Sequence, residues 1–113
     1  MSDCLFCAIV AGYVPSTNVL ETDRVLAFRD IAPQAPTHVV VVPKEHFTDT
    51  RDIAQRDPAY LGEVLRVATD VAEQEGLVGG YRLLTNTGPD SGQTVFHVHV
   101  HLLGGKNLGA LAG

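Results

Sequence analysis

Three of the chain's five histidines stand at alternate positions in one short run, Phe96-His97-Val98-His99-Val100-His101-Leu102-Leu103. A neutral imidazole can donate or accept a proton, ligate a metal or attack an electrophile near neutral pH. On a strand, side chains at i and i+2 share a face, about 7 Å apart at a rise of about 3.4 Å per residue. The alternation predicts a strand over Val95–Leu103 that buries Val98, Val100 and Leu102 and presents a row of imidazoles on its other side. A solvent-facing edge strand would more usually carry lysine, threonine or glutamate. Side chains so spaced could not all reach one zinc at about 2.1 Å without distortion.

Four other features have chemical content. The segment Gly88-Pro89-Asp90-Ser91-Gly92-Gln93-Thr94 leads into the histidine run, and its glycines would let backbone N–H groups turn toward an anion. Cys4-Leu5-Phe6-Cys7 has the spacing of a metal knuckle and equally suits two packed thiols. His46 and one member of the row are available as further ligands, and spacing alone does not choose among them. Asp30 follows an apolar strand, where a carboxylate either accepts sugar hydroxyls or caps its own loop; sequence physics favours the cap. His38 opens a run of valines and, taken singly, reads as a hydrogen-bonded core histidine.

The elements that must position these groups follow from local pattern. Residues 4–11 read as a short helix closed near Gly12, and Val19–Glu21 with Val25–Phe28 as a hairpin. Asp30–Pro36 is a proline-punctuated loop, and His38–Val42 a strand covered on both faces and ended by Pro43. Asp57 and Pro58 begin a long helix with an apolar stripe of Leu61, Val64, Leu65, Ala68, Val71 and Ala72, stopped by Gly76. Tyr81–Asn86 is a further strand, and the tail from Gly104 is irregular. Hairpin-linked strands with segregated helices predict an α+β fold on a mainly antiparallel sheet.

The 113 residues predict one domain, 1–113, with a net charge of −5 that argues against a general nucleic-acid binder. No basic leader precedes the apolar Leu5–Val10, and no stretch approaches the roughly 20 apolar residues of a membrane span. A cytoplasmic location, with Cys4 and Cys7 reduced, is the expectation.

With these residues in view, the chain resembles the histidine triad (HIT) superfamily, in its nucleotide-binding phosphoramidase branch. The signature His-φ-His-φ-His-φ-φ, with φ apolar, is met by His97 to Leu103. Cys4–Ile9, Ala27–Ile31, Pro33–His38, Pro43–His46, Asn86–Gly88 and Ser91–Phe96 also look like family blocks, in family order. The uridylyltransferase relatives carry glutamine at the third triad position, where this chain has His101.

The resemblance implies an α+β HIT-like fold of about five strands, a short N-terminal helix and one long helix, with two protomers forming a continuous sheet. It implies hydrolysis of purine nucleoside 5′-phosphoramidates, AMP-NH2-like or AMP-lysine-like, through a nucleotidyl-histidine. His99 would be the nucleophile, His101 would deliver the leaving group's proton, and His38 would bond to the nucleophile's other nitrogen. Backbone groups at Gly92 and Gln93, with Thr94, would hold the phosphoryl oxygens, and Asn86 would lie at the phosphate. Asp30 would accept the ribose hydroxyls, and Leu5, Phe6, Ile9, Phe28 and Ile31 would form the base slot. Cys4, Cys7, His46 and His97 would bind one structural Zn2+ per chain, and no organic cofactor is expected. The expected partners are purine nucleoside monophosphate or its phosphoramidates and a second copy of the chain, with neither nucleic acid nor membrane. The tryptophan that the best-known eukaryotic members place near their C-terminus is missing here. Dinucleoside polyphosphate hydrolysis and nucleotide-dependent regulation with incidental turnover are the competing readings.

Overall fold

A computed structural model describes residues 4–111. In chain order the elements are α1 (Leu5–Val10), β1 (Asn18–Glu21), β2 (Val25–Arg29), β3 (Thr37–Pro43), α2 (Thr50–Arg56), α3 (Pro58–Gln74), β4 (Tyr81–Leu84) and β5 (Val100–Gly104). A single 3-10 turn, Pro89–Ser91, lies between the last two strands. The strands form one antiparallel sheet in the order β1-β2-β3-β5-β4. No described helix is long and apolar enough to cross a membrane.

Strand parity sorts the side chains onto two faces. Val25, Ala27, Val39, Val41, Val100 and Leu102 pack with Ile53, Val64, Ala68 and Val71 of the helices in the main core. Leu26, Phe28, Val40 and Val42 face the other way and pack with Phe6 of α1. Both faces of β3 are therefore buried, as its unbroken valines predict. α1 has six residues, far below the roughly 12–15 at which a helix is marginal alone, so it depends on what its side chains touch.

α3 starts as expected. The Asp57 side chain accepts from the Tyr60 N–H and Pro58 occupies the first turn. Its buried stripe is Tyr60, Val64, Val67, Ala68, Val71 and Ala72, whereas Leu65 is 39% exposed. The expected stripe was thus rotated slightly: Tyr60 enters the core because its hydroxyl finds the Arg24 carbonyl at 2.6 Å. α2 has no counterpart in the sequence reading. Only Ile53 of its residues is buried, so it shows no apolar periodicity, and its signal is the Asp49 cap accepting from the Asp52 N–H at 2.9 Å.

The histidine strand is shorter than its alternation predicts. Only Val100–Gly104 joins the sheet, so His97 and His99 precede it. Side chains take the carbonyls a ladder would need: Gln93 Nε2 donates to Val95 O, His99 Nδ1 to His97 O, and Thr85 Oγ1 to His99 O. The Val98 N–H goes to the Phe47 carbonyl at 2.7 Å. The alternation itself survives, with Val98, Val100 and Leu102 all in the main core. Tyr81–Asn86 is likewise trimmed to Tyr81–Leu84.

Candidate active site and metal centre

The three histidines of the run lead into different surroundings. His99 is buried against the edge of the Phe6 ring, with centroids 4.9 Å apart. A carbonyl can only accept, so the 2.8 Å contact to His97 O places the proton of a neutral His99 on Nδ1. Nε2 is left with its lone pair. Burial lowers the pKa of His99 and favours this neutral form. His101 packs against His99, with ring centroids 5.0 Å apart. Burial, reinforced by the neighbouring imidazoles, lowers its pKa to about 4.

His38 and His101 are diagonal neighbours across the β3–β5 pairing, in which His38 opposes Leu103 and Val40 opposes His101. Their Nε2 and Nδ1 atoms are 2.9 Å apart. The expected contact from His38 to His99 is therefore replaced by one to His101. The nucleophile candidate is oriented instead by the carbonyl two residues before it. Asp30 approaches the same pair, its Oδ2 being 3.4 Å from His38 Nε2 and 4.0 Å from His101 Nδ1. Its Oδ1 accepts from the Ala32 N–H at 2.8 Å, so the capping role is present beside whatever Oδ2 does.

His97 turns away from this group. Cys4, Cys7, His46 and His97 bring their ligand atoms within 4.8 Å of one another. Cys4 Sγ lies 3.2 Å from His97 Nδ1, and Cys7 Sγ lies 3.4 Å from both His97 Nδ1 and His46 Nδ1. Adjacent ligands of a tetrahedral zinc stand about 3.3–3.8 Å apart, given bonds of about 2.0–2.1 Å to nitrogen and 2.3 Å to sulfur. His97 Nε2–H donates to the Pro43 carbonyl at 2.8 Å, which leaves the Nδ1 lone pair directed at the thiols. Outer-shell carbonyls orient zinc-binding imidazoles in this way. The donor set fits a closed structural zinc.

The segment carrying His46 is held by residues the sequence reading did not single out. Arg56 donates to the His46 carbonyl at 3.2 Å and to Asp52 Oδ1 at 2.7 Å, and its guanidinium lies 4.3 Å from the centre of the Phe47 ring. Asp52 in turn accepts from the Thr48 N–H. The Arg56 hydrogen bond, with that N–H, lowers the Asp52 pKa to about 2. An Asp and an Arg four apart on a short helix were the available signal.

The expected nucleotide contacts divide. Phe6, Ile9 and Phe28 lie in one apolar cluster, while Leu5 is 47% exposed and Ile31 fully exposed, outside it. The N–H groups of Gly92 and Gln93 close the 3-10 turn on Pro89 O and Gly88 O, so they do not form the expected open anion nest. The Gln93 side chain is buried, accepting from the Gly88 N–H and donating to the Thr48 and Val95 carbonyls. Thr94 is exposed and Asn86 half-buried, next to the Thr85 that holds the His99 carbonyl. An open groove between residues 76–82 and 105–109 contains no histidine or cysteine and is separate from this chemistry.

A five-stranded antiparallel sheet carrying a carbonyl-oriented imidazole, an imidazole pair and a Cys2His2 cluster defines a small α+β domain with a histidine-based site. The chain belongs to the HIT family: a family model described as HIT domain matches residues 11–108. It is 43% identical to the purine nucleoside phosphoramidase of Escherichia coli, over 96% of this chain and 92% of that protein. It is 48% identical to a 14 kDa zinc-binding protein of Zea mays, over 95% of this chain and 85% of that one. Among solved structures it resembles a HIT family hydrolase from Legionella pneumophila, with a TM-score of 0.93 and 45% identity over 98% of this chain and all of that one.

Proposed function

We propose that this protein hydrolyses purine nucleoside 5′-phosphoramidates to the nucleoside monophosphate and an amine. The observation that carries the reading is the His99 ring, with its Nδ1–H held by the His97 carbonyl and its Nε2 lone pair available. His99 Nε2 attacks the α-phosphorus and the P–N bond breaks. The departing nitrogen takes a proton through His101, whose ring regains one from solvent; water then cleaves the nucleotidyl-histidine and returns a proton to solvent. Asp30 Oδ2 accepts ribose hydroxyls, the cluster of Phe6, Ile9 and Phe28 receives the base, and Thr94 and Asn86 lie toward the phosphate. The name of the Escherichia coli relative supports the substrate class.

Cys4, Cys7, His46 and His97 hold one zinc per chain in this reading, and the maize relative's name supports it. With four protein ligands the metal is structural, fixing α1 against the residues that precede β5. The protein pairs as a homodimer through an edge of its sheet. Support comes from β4, which ends the strand order, with Tyr81 half-exposed on it and Val78 fully exposed just before it.

The test is a panel of adenosine and guanosine phosphoramidates, diadenosine polyphosphates and nucleotidyl sugars, read by monophosphate release. Phosphoramidates should be the best substrates. His99→Ala should bind nucleoside monophosphate yet release none, and wild type should yield an acid-labile, base-stable nucleotide adduct after denaturation. Near wild-type turnover by His99→Ala would reject the nucleophile.

A further inference from the structure

We propose that the backbone N–H of Gln34 fixes which nitrogen carries the proton in His38 and, through His38, in His101, which makes Gln34 a positioning residue for His101. Gln34 N lies 3.0 Å from His38 Nδ1. An amide N–H only donates, so His38 Nδ1 holds a lone pair and the proton of the neutral ring sits on Nε2. That Nε2 is 2.9 Å from His101 Nδ1 and 3.4 Å from Asp30 Oδ2. Two nitrogens at 2.9 Å cannot both point hydrogens at each other, so His38 Nε2–H donates and His101 Nδ1 accepts. The remaining proton of a neutral His101 is then on Nε2. The relay runs one way, from Gln34 N–H to His38 to His101, and it leaves His101 with an N–H donor on its far nitrogen.

The loop is suited to this task. Pro33 and Pro36 have no N–H, so only Gln34 and Ala35 offer a donor within residues 33–36. The loop is pinned on either side of Pro33: Asp30 Oδ1 accepts from the Ala32 N–H, and Gln34 Nε2 donates to the Ala32 carbonyl at 3.1 Å.

The same logic decides against a second metal site. Asp30, His38 and His101 also bring ligand atoms within 4.8 Å of one another. A neutral His38 bound to metal through Nε2 would need a hydrogen on Nδ1, and Nδ1 faces a donor. His97 is the reverse case, since its Nε2–H faces a carbonyl and its Nδ1 is bare. One cluster has the outer shell of a metal ligand; the other has that of a proton relay.

The proton positions stand by themselves, whereas the delivery of the His101 proton to a leaving group rests on the phosphoramidase reading. Two-bond 1H–15N correlation spectra of the zinc-loaded, 15N-labelled protein at neutral pH read each ring directly. His38 and His101 should both show a protonated Nε2 and a bare Nδ1, with His99 the opposite. A protonated Nδ1 on His38 or His101 overturns the proposal. Replacing Gln34 by its α-hydroxy acid exchanges the N–H for an ester oxygen and keeps the side chain that bonds to the Ala32 carbonyl, with the unaltered protein as the control. The ester should give His38 mixed tautomers and lower the turnover number about two- to twelve-fold, the loss of one hydrogen bond, with KM little changed. An ester form with wild-type tautomers also overturns the proposal. Absence of phosphoramidate turnover in wild type, with the tautomers as stated, would instead remove the phosphoramidase reading and leave the relay standing.

Discussion

Substitution at Asp30 separates the loop bond that its carboxylate makes from the ribose contact proposed for it. Oδ1 accepts from the Ala32 N–H at 2.8 Å, and Oδ2 stands 3.4 Å from His38 Nε2, turned toward the candidate site. Asp30→Asn keeps an oxygen for the loop and loses the charge; Asp30→Ala loses both. The loop hydrogen bond contributes about 1 kcal/mol, which for a chain of this size lowers Tm by roughly 4 °C. A carboxylate accepting from a ribose hydroxyl contributes about 1.5–3 kcal/mol, or about 10- to 150-fold in affinity. Asp30→Asn should therefore melt near wild type yet bind AMP much more weakly, and Asp30→Ala should show both losses. Calorimetric titration with AMP and 2′-deoxy-AMP, beside thermal melting, checks this. Wild type should prefer the ribonucleotide, and both variants should lose most of that preference. If Asp30→Asn weakens both ligands equally, the carboxylate does not read the ribose. If it melts as low as Asp30→Ala, the assignment of Oδ1 to the loop is wrong.

Three further outcomes are expected. Zinc should copurify at one atom per chain, and Cys4→Ser with Cys7→Ser should remove it and lower Tm, while reducing phosphoramidate turnover less than His99→Ala does; metal analysis of chelator-free protein settles the first point. Arg56→Ala should speed zinc loss to a competing chelator by up to about tenfold, the low end for an outer-shell residue, because it frees the His46 segment; unchanged metal retention would confine Arg56 to its contact with Phe47. Below neutral pH, His101 should erode stability. Its folded pKa of about 4 lies under the ordinary 6.5, so the unfolded chain takes the proton first. The contribution is whole above pH 6.5 and falls by at most about 1.4 kcal/mol per pH unit as pH drops toward 4. Denaturant titrations of wild type and His101→Asn across that range should diverge in slope, and parallel curves would refute the burial argument.

Much of the site was legible because types and spacing constrained it. Period two put Val98, Val100 and Leu102 in the core whether or not the sheet ladder reached them. The Cys4/Cys7 spacing offered half of a metal site, and the family resemblance supplied His46 and His97, which the fold does bring together with the two thiols. What spacing could not supply was the destination of single hydrogen bonds. The family resemblance implies a bond from His38 to His99, but the β3–β5 register sets His38 diagonal to His101 instead. Glycine-rich turns resemble anion nests in sequence, yet here the N–H groups of Gly92 and Gln93 close their own turn. α2 was invisible because a helix with one buried residue has no period, although it carries the arginine that steadies His46.

Backbone groups suit two histidine-containing clusters to different chemistry. Each histidine of the run has one ring nitrogen assigned by a backbone group or by a partner so assigned: Pro43 O for His97, His97 O for His99, and Gln34 N–H through His38 for His101. A carbonyl beside Nε2 leaves Nδ1 bare, toward the two thiols. A carbonyl beside Nδ1 leaves Nε2 bare, as a nucleophile requires. A donor at the head of the relay leaves Nε2 protonated, able to donate toward a leaving group. Residue identity supplies three equal imidazoles, and the backbone gives each the proton arrangement that its proposed role as ligand, nucleophile or donor to the leaving group requires.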